Sequence, residues 1–512
     1  MTDNTYSAFR GEAYKLLIHH GIGVVYRAFE EASAYLGFAQ PDTRYNFELA
    51  LAPYRLDRSF HGQDHGSFMA IVTEDEIARL KAAGFNDDEV KFITSAAVAG
   101  GLYHDDVQLQ ADKGLEKNVS EILGSYATVT TQPPYQAQIH AEKNLSPAAK
   151  LVCEVFGFTP GQTIGQVPGK DVPGGANEFL SALVAAHCLV GTGPLDEQKR
   201  HAITAIAAII EATIPFRNNQ AFENLYDRLR KIGFDERQSE IMVKGAILVA
   251  NRDVEGFCGG CVTSETSSLE RFRRFVSGTW KLIPENNPKL RGQSYTPSDF
   301  RATLKGNLFF LTRILKPENI FHSFRGFPDT AEMEKRTAYA TQNLQFLEQY
   351  MTAKIASASL VEAIAMTIDP QGKLPLPVLV NGLKPESFTF VDNSARFMPS
   401  EKIVYENLVN RGDSAPYAWD IPSSPTAAFL MQSIGTEGIN RITQLAEGLL
   451  KPDQPNYGSF LKEVWREYGD SLNQILEVMK KIAHVGEQEA FEVGRGAMKR
   501  QAGIDQLKLA FS

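Results

Sequence analysis

Two histidines four residues apart stand out in the stretch RSFHGQDHGSF, where His61 and His65 lie among small and polar residues. The chain has only ten histidines in 512 residues, so a close pair is informative. An imidazole can ligate a metal ion or carry a proton near neutral pH. On a helix, residues four apart face the same side, and we therefore expect the two rings to serve one site.

Two later stretches supply partners for this pair. In AAVAGGLYHDD, small and apolar residues lead directly to His104 and Asp105, and in GAILVANRDVEGF an apolar run ends at Asp253. A carboxylate at the end of a buried helix needs a partner, because an unpaired buried charge is costly. For Asp253 the partner is either a cation such as Arg252 or a metal ion. Imidazole and carboxylate ligands together suit Mn, Fe, Zn or Mg.

The order His65, His104–Asp105, Asp253 resembles the H…HD…D pattern of the HD-domain superfamily of metal-dependent phosphohydrolases, over roughly residues 40–280. The letters RSFHGQDH are similar to the Arg-x-Tyr/Phe-His-x-x-x-His motif of HD proteins, and ANRDVEGF is similar to the segment that gives their last aspartate. The resemblance implies a helical bundle that holds a divalent metal through these four side chains. It leaves Asp105 able to bridge two ions if a second one binds.

Further residues are candidates for the remaining tasks of phosphate-ester hydrolysis. By resemblance to cyclic-nucleotide phosphodiesterases, His61 is the general acid; the alternative is that it only orients Asp105 or a phosphate. Glu211 lies in the apolar stretch IIEATIPF and is a candidate base or a partner of a ligand histidine; a salt bridge to an arginine such as Arg217 is the alternative. Arg58 and Lys113 are candidates for contact with the phosphate, since cationic side chains match phosphate oxygens.

Composition and charge exclude several classes of function. The formal net charge is −9 and no cluster of Lys and Arg forms a basic face, which argues against broad nucleic-acid binding. No run of about 18 apolar residues predicts a membrane span. The N-terminus lacks a basic segment followed by an apolar one, and four cysteines are too few for a disulfide framework. We therefore expect a cytoplasmic protein, with export as a bacterial effector without a Sec signal left open.

The hydrophobic patterns predict a mostly α protein. HAITAIAAIIEA and SEIMVKGAILVA are typical of buried helices, and YGDSLNQILEVMKKIAHV is typical of an amphipathic one. PLPVLVNGL and ESFTFV are the only candidate strands. We expect an HD-type phosphohydrolase domain over residues 1–280, with a Gly/Pro-rich loop inserted at about 156–178. Residues 281–512 are predicted to form a second, mainly helical region without an assigned role.

Three functions follow from these expectations. The first is a metal-dependent phosphohydrolase or phosphodiesterase that hydrolyses a nucleotide or a related small phosphate ester. The second is a metal-independent phosphodiesterase that removes a nucleotide-type modification from a protein, because some bacterial effectors carry a His-Gly-x-x-His element similar to HGQDH. The third is a degenerate HD fold that binds a nucleotide and regulates a partner. A second copy of the chain or another protein would bind through the C-terminal region.

Overall fold

The protein is mostly helical, as the sequence patterns predict. The computed structural model describes residues 22–38, 43–55, 60–61, 63–111, 115–166, 172–260, 266–285, 287–292, 295–368, 397–412, 419–420, 424–451 and 453–490. The chain divides into two compact units, the first within Met1–Ser264 and Lys316–Tyr339 and the second within Glu265–Leu315 and Ala340–Ser512. Among the described residues, no helix is both long and apolar enough to span a membrane.

The first unit is a helical bundle with one small sheet. Its helices are α1 (22–35), α2 (Thr43–Leu51), α3 (Gln63–Met69), α4 (Glu74–Ala82), α5 (Asp87–Tyr103), α6 (Lys117–Gly124), α7 (Pro147–Phe156), α8 (Ala176–Val190), α9 (Glu197–Ala212), α10 (Gln220–Ile232) and α11 (Glu236–Asp253). Its strands are β1 (Ala127–Thr130), β2 (Gln136–Ile139) and β3 (Thr163–Gly165). Short 3-10 helices lie at Pro53–Arg55, Glu142–Asn144, Glu255–Cys258 and Pro317–Asn319.

Small residues let the central helices of the first unit approach one another closely. Helix α5 packs against α3, α9 and α11. A Cβ atom on Gly101 would lie 2.1 Å from the carbonyl oxygen of Met69, and one on Gly245 would lie 2.0 Å from Ile93. A larger residue at position 101 would force the backbones of α5 and α3 apart, and one at position 245 would displace the Ile93 side chain, because interiors are close-packed. The small residues of the AAVAGG stretch therefore set where the end of α5 lies relative to α3.

Both helices that deliver the predicted aspartates begin at a capping box. The Asn86 side chain accepts a hydrogen bond from the Glu89 backbone N–H at 2.9 Å at the start of α5. The Asp235 side chain does the same for the Gln238 N–H at 2.7 Å at the start of α11. Each box satisfies backbone donors that have no partner within the helix. The apolar runs of α5 and α11 then end at the candidate ligands.

The three-stranded antiparallel sheet, in the order β1-β2-β3, was not predicted from the sequence. Its strands are three or four residues long, too short to give a clear alternation of apolar and polar residues. Strand β3 and the first residues of α8 both lie in the Gly/Pro-rich stretch 156–178, for which a loop was expected. The two candidate strands PLPVLVNGL and ESFTFV lie outside the described residues.

The second unit is built from longer helices. They are α12 (Ser268–Glu285), α13 (Pro288–Arg291), α14 (Pro297–Phe309), α15 (Thr330–Ile368, whose residues as far as Tyr339 belong to the first unit), α16 (Pro399–Val409), α17 (Pro425–Leu449) and α18 (Tyr457–Ala490). A five-residue π-helix at Phe310–Ile314 follows α14. Helix α17 is interrupted at Gly435, whose φ of 68° is a conformation that glycine adopts without strain.

The units differ from the expected division into 1–280 and 281–512 in two places, and the packing explains both. Phe272 of α12 contacts the rings of Phe346 and Tyr350, with centroids 5.4 and 6.1 Å apart, so α12 belongs with the later helices. The segment Lys316–Tyr339 belongs to the first unit. There Asn251 of α11 donates to the backbone oxygen of His322 and accepts from its N–H.

Candidate metal centre

Three helix ends in the first unit bring four of the predicted side chains together. His65 lies on α3, His104 is the residue directly after α5, Asp105 follows it, and Asp253 is the last residue of α11. Each side chain therefore projects from a position that a helix fixes, rather than from a long loop. His104 is 1% exposed, and the other three side chains are no more than 19% exposed. The four groups form a largely buried cluster.

The donor atoms of the cluster lie within a few ångströms of one another. His65 Nε2 is 3.2 Å from His104 Nε2 and 3.2 Å from Asp253 Oδ1. Asp105 Oδ2 is 3.3 Å from His65 Nε2 and 3.0 Å from His104 Nε2. His104 Nε2 lies 3.7 Å from Asp253 Oδ1. The ligand atoms of His65, His104 and Asp253 thus surround one small volume, and Asp105 Oδ2 lies beside the two histidines.

The backbone fixes which nitrogen of His104 faces the cluster as an acceptor. His104 Nδ1 lies 2.8 Å from the carbonyl oxygen of Gly101. A carbonyl only accepts hydrogen bonds, so Nδ1 carries the proton and donates. In the neutral ring, Nε2 is then left with its lone pair, which points toward His65 and Asp105. This tautomer is the one that a metal-ligating histidine needs.

Asp253 does not pair with its neighbour Arg252, which was the alternative considered from the sequence. The guanidinium of Arg252 donates to Glu76 Oε1 at 2.9 Å and to the carbonyl oxygen of Met69 at 2.7 Å. These two bonds tie the end of α11 to α4 and to the last residue of α3. Arg252 therefore holds the helix ends in place, while Asp253 faces His65 and His104.

The charges of the cluster shift the pKa values of its members in opposite directions. Burial alone would lower the pKa of His65 and of His104, but the hydrogen bonds and charges of Asp105 and Asp253 outweigh burial and raise both. Burial would raise the pKa of each carboxyl, but His104 and its neighbouring histidines hold the pKa of Asp105 well below its ordinary value. Burial would likewise raise the pKa of Asp253, but His104 and His65 lower it to about 2.

The donor set and its spacing fit a single divalent cation. Ligand atoms bound to one ion at about 2.0–2.2 Å lie roughly 3.0–3.5 Å from one another. The separations among the donor atoms of His65, His104 and Asp253 are 3.2, 3.2 and 3.7 Å, and Asp105 Oδ2 lies 3.3 and 3.0 Å from the two histidine nitrogens. Two imidazole nitrogens and two carboxylate oxygens suit Mn, Fe, Zn or Mg. Of the four, His65, His104 and Asp253 form a group whose ligand atoms lie within 4.8 Å of one another.

His61 reaches the edge of the cluster, but not in the predicted way. Helix α3 begins at Gln63, so His61 precedes it and does not lie one helical turn from His65. Its Nε2 nonetheless lies 4.0 Å from Asp105 Oδ2, and its side chain is 16% exposed. The ring of Phe60 contacts the rings of both histidines, with centroids 4.8 and 5.1 Å away. His61 is thus the more accessible of the two histidines.

Glu211 forms the salt bridge to Arg217 that was the alternative to a catalytic role. Its carboxylate accepts from Arg217 at 2.8 Å and from Arg228 at 2.7 Å. The side chain is 3% exposed on α9, and two arginines neutralise its charge. Arg58 and Lys113, the predicted phosphate contacts, lie outside the described residues.

Polar residues at the start of α8 and in the segment after α5 also approach the cluster, and they were not predicted from the sequence. Gln108 donates to Asp105 Oδ1 at 2.6 Å, and Asn177 donates to Gln108 at 3.1 Å. Glu178 is a third carboxyl nearby: burial and the charges of Asp105 and Asp253 raise its pKa to about 7. The signal in the sequence was the change from Gly-Gly to Ala-Asn-Glu, which places polar side chains on the first turn of a buried helix.

No protein-family model, no curated protein and no solved structure matches this chain. The resemblance to the HD-domain superfamily therefore stays a prediction based on the residues that carry it. The geometry of His65, His104, Asp105 and Asp253 carries the functional argument.

Proposed function

We propose that the protein is a metal-dependent phosphoric ester hydrolase that acts on a nucleotide or a related small phosphate ester. The observation that carries the proposal is the convergence of His65, His104 and Asp253, whose donor atoms lie 3.2–3.7 Å apart, with Asp105 Oδ2 within 3.3 Å of both histidines and His104 held in the ligating tautomer. The H…HD…D order of these residues supports it through the resemblance to the HD-domain superfamily.

Each group has a task that its position supports. His65, His104, Asp105 and Asp253 would hold the ion. When bound, a divalent ion supplies charge neutralisation for phosphoryl oxygens and a water of lowered pKa. Gly101 orients His104 through its carbonyl oxygen.

His61 is the proposed general acid. It lies beside the cluster without belonging to its inner set, and its side chain is partly exposed, so it can reach the oxygen of a leaving group. Glu211 is not assigned the role of base, because its carboxylate is paired with Arg217 and Arg228. General acid catalysis contributes about 10²–10⁴ in rate. The substitution His61→Ala should therefore lower activity by that factor and leave the metal content unchanged.

Elemental analysis tests the proposal most directly. The wild-type protein, His104→Ala and Asp105→Ala would be purified side by side, soaked in Mn²⁺, Fe²⁺, Zn²⁺ or Mg²⁺, and analysed after desalting. His201→Leu is the matched control, because His201 packs between the rings of Phe92 and Phe234 in the same unit. We expect one or two equivalents of metal in the wild type and the control, and none in the two ligand variants.

The hydrolysis assay then uses bis(p-nitrophenyl) phosphate and p-nitrophenyl phosphate with the bound metal. Turnover that is lost in His104→Ala and reduced in His61→Ala supports the hydrolase. A wild type without metal before and after soaking overturns it; turnover in that metal-free protein would favour the metal-independent phosphodiesterase instead. Metal and nucleotide binding without turnover of any ester would favour the regulator.

A further inference from the structure

A chain of hydrogen bonds runs from the first turn of α8 to the candidate ligand Asp105. Asn177 Oδ1 accepts the backbone N–H of Leu109 at 3.1 Å, and Asn177 Nδ2 donates to Gln108 Oε1 at 3.1 Å. Gln108 Nε2 then donates to Asp105 Oδ1 at 2.6 Å. Asn177 and Gln108 are each 5% exposed, so water competes little for these bonds.

The backbone sets the direction of every bond in this chain. The N–H of Leu109 can only donate, so the oxygen of the Asn177 amide must face it and its NH₂ group must face Gln108. The Gln108 oxygen also accepts from Gln110 Nε2 at 3.2 Å, which fixes the same orientation a second time. The NH₂ group of Gln108 is consequently directed at Asp105, which must accept as a carboxylate.

The two oxygens of Asp105 therefore have different surroundings. Oδ1 holds the amide donor of Gln108, while Oδ2 lies 3.3 Å from His65 Nε2 and 3.0 Å from His104 Nε2. The amide of Gln108 occupies one lone pair of Oδ1 and so directs Oδ2, rather than both oxygens, toward the two histidines. The relay from Asn177 to Gln108 opposes rotation of the Asp105 carboxylate, because Gln108 is itself held by two donors.

We propose that Asn177 and Gln108 are positioning residues that make Asp105 a one-oxygen ligand and so determine which ion the site selects. The inference rests on the proposed function, since it concerns the same metal centre. Ca²⁺ favours six to eight oxygens and often binds a carboxylate through both of them, whereas Mn²⁺ and Zn²⁺ accept single oxygens together with imidazole. A carboxylate restricted to Oδ2 favours the second group of ions over Ca²⁺.

Asn177→Asp is the sharpest test of the relay. The new carboxylate keeps the acceptor for Leu109 N–H and adds a negative charge at the start of a helix, where it is favourable, so α8 should remain folded. It cannot donate to Gln108, whose amide should turn over and direct its oxygen at Asp105. Gln108→Leu removes the donor to Asp105 outright. Ser181→Ala is the control, because Ser181 accepts Val107 N–H at 3.0 Å and anchors the same loop without touching the relay.

The measurement is the affinity of metal-free protein for Mn²⁺ and for Ca²⁺ by calorimetry. Loss of a residue that holds a ligand costs about 10- to 100-fold in metal affinity. We expect a loss of about tenfold or more for Mn²⁺ in Asn177→Asp and Gln108→Leu, a narrowed ratio of Mn²⁺ to Ca²⁺ affinity, and wild-type values in Ser181→Ala. A merely structural defect would weaken the binding of both ions equally and leave the ratio of Mn²⁺ to Ca²⁺ affinity unchanged.

Two results would overturn the inference. If both relay variants bind Mn²⁺ and Ca²⁺ as the wild type does, Asn177 and Gln108 do not position Asp105, although the metal centre stands. If the wild type binds neither ion, the metal centre and the inference fail together. If the wild type binds Mn²⁺, the relay variants weaken that binding, and the protein hydrolyses no phosphate ester, only the proposed hydrolase activity is wrong.

Discussion

Each unit of the protein buries a cluster of charges around an aspartate, and the two clusters are built on different plans. In the second unit, Asp420 Oδ2 accepts from Lys354 Nζ at 2.7 Å, from Arg411 at 2.7 Å and from the indole N–H of Trp280 at 2.6 Å. A lysine, an arginine and the indole N–H thus surround one carboxylate. Such a cluster is complete without any ligand.

The cluster of the first unit is not completed in this way. Asp253 faces the imidazoles of His65 and His104, although Arg252 is its neighbour in the chain and turns to Glu76 instead. The two Nε2 atoms lie 3.2 Å apart, and imidazoles in such contact cannot both donate to each other. A structural carboxylate is neutralised by lysine and arginine, whose charged forms have no lone pair for a metal ion, whereas a ligand carboxylate is paired with groups that can themselves bind a cation.

The largest expected effect comes from breaking the complete cluster. Asp420→Ala leaves Lys354 and Arg411 buried without their counter-charge, at 5% and 0% side-chain exposure. Removing one partner of a buried ion pair costs about 3–5 kcal/mol. We expect that loss in the free energy of unfolding of the second unit, measured by denaturant titration, with metal binding by the first unit unchanged.

A matched surface pair in the same unit provides the control. Glu467 lies 2.9 Å from Arg441, whose side chain is 42% exposed. Because solvent screens such a pair, Glu467→Ala should cost much less than Asp420→Ala. Equal losses in the two variants would contradict the view that the Asp420 cluster is a buried structural element.

The candidate ligands were predictable from the sequence because their signals are local. His104, Asp105 and Asp253 each follow an apolar helical run, and the structure places each at a helix end. The relay was not predictable, because Asn177 and Gln108 are 69 residues apart and the polar residues at the start of α8 do not indicate which partner Asn177 contacts. Which group donates and which accepts in each hydrogen bond of the relay also depends on the fold.

Like the small sheet, the Asp420 cluster could not be predicted from the sequence. Lys354 and Asp420 are 66 residues apart, and nothing near either residue indicates the other. The charged partner of Asp253 could not be excluded from sequence either, since only the packing of α11 against α3 and α4 turns Arg252 away. The mostly helical fold class and candidate ligands at helix ends can therefore be predicted from one sequence, whereas contacts between residues on different helices cannot.

Added metal should distinguish the two clusters, because only the cluster of the first unit is expected to bind it. An ion that binds only the folded state stabilises it by about 2.7 kcal/mol at one hundred times its dissociation constant. We expect Mn²⁺ at that excess to raise the stability of the first unit in the wild type and in Asp420→Ala, but not in His104→Ala. Thermal unfolding with and without Mn²⁺ measures the shift.

An equal shift in His104→Ala would show that the ion binds elsewhere. A shift that disappears in Asp420→Ala would show that the two clusters are not independent, and the distinction between a structural cluster and a ligand cluster would fail.

The smallest expected effect is on the dependence of stability on pH. Burial would raise the pKa of Asp420, but Lys354 and Arg411 outweigh burial and hold that pKa below its ordinary value. A carboxyl whose pKa is lower in the folded protein contributes stability that is present above the unfolded pKa of about 3.9. That contribution is lost as the pH falls through the lower pKa of the folded state.

Asp420→Asn, which keeps the shape and one acceptor oxygen but cannot ionise, lacks this contribution at every pH. The wild type should therefore exceed Asp420→Asn in stability between pH 5 and pH 7 by a constant amount, and the difference should shrink below about pH 4. Denaturant titrations of the two proteins across this range measure the difference. If the difference instead grew as the pH fell, Asp420 would be protonated more easily in the folded protein than in the unfolded chain. In that case the contacts from Lys354 and Arg411 would not be what stabilises the charge of Asp420.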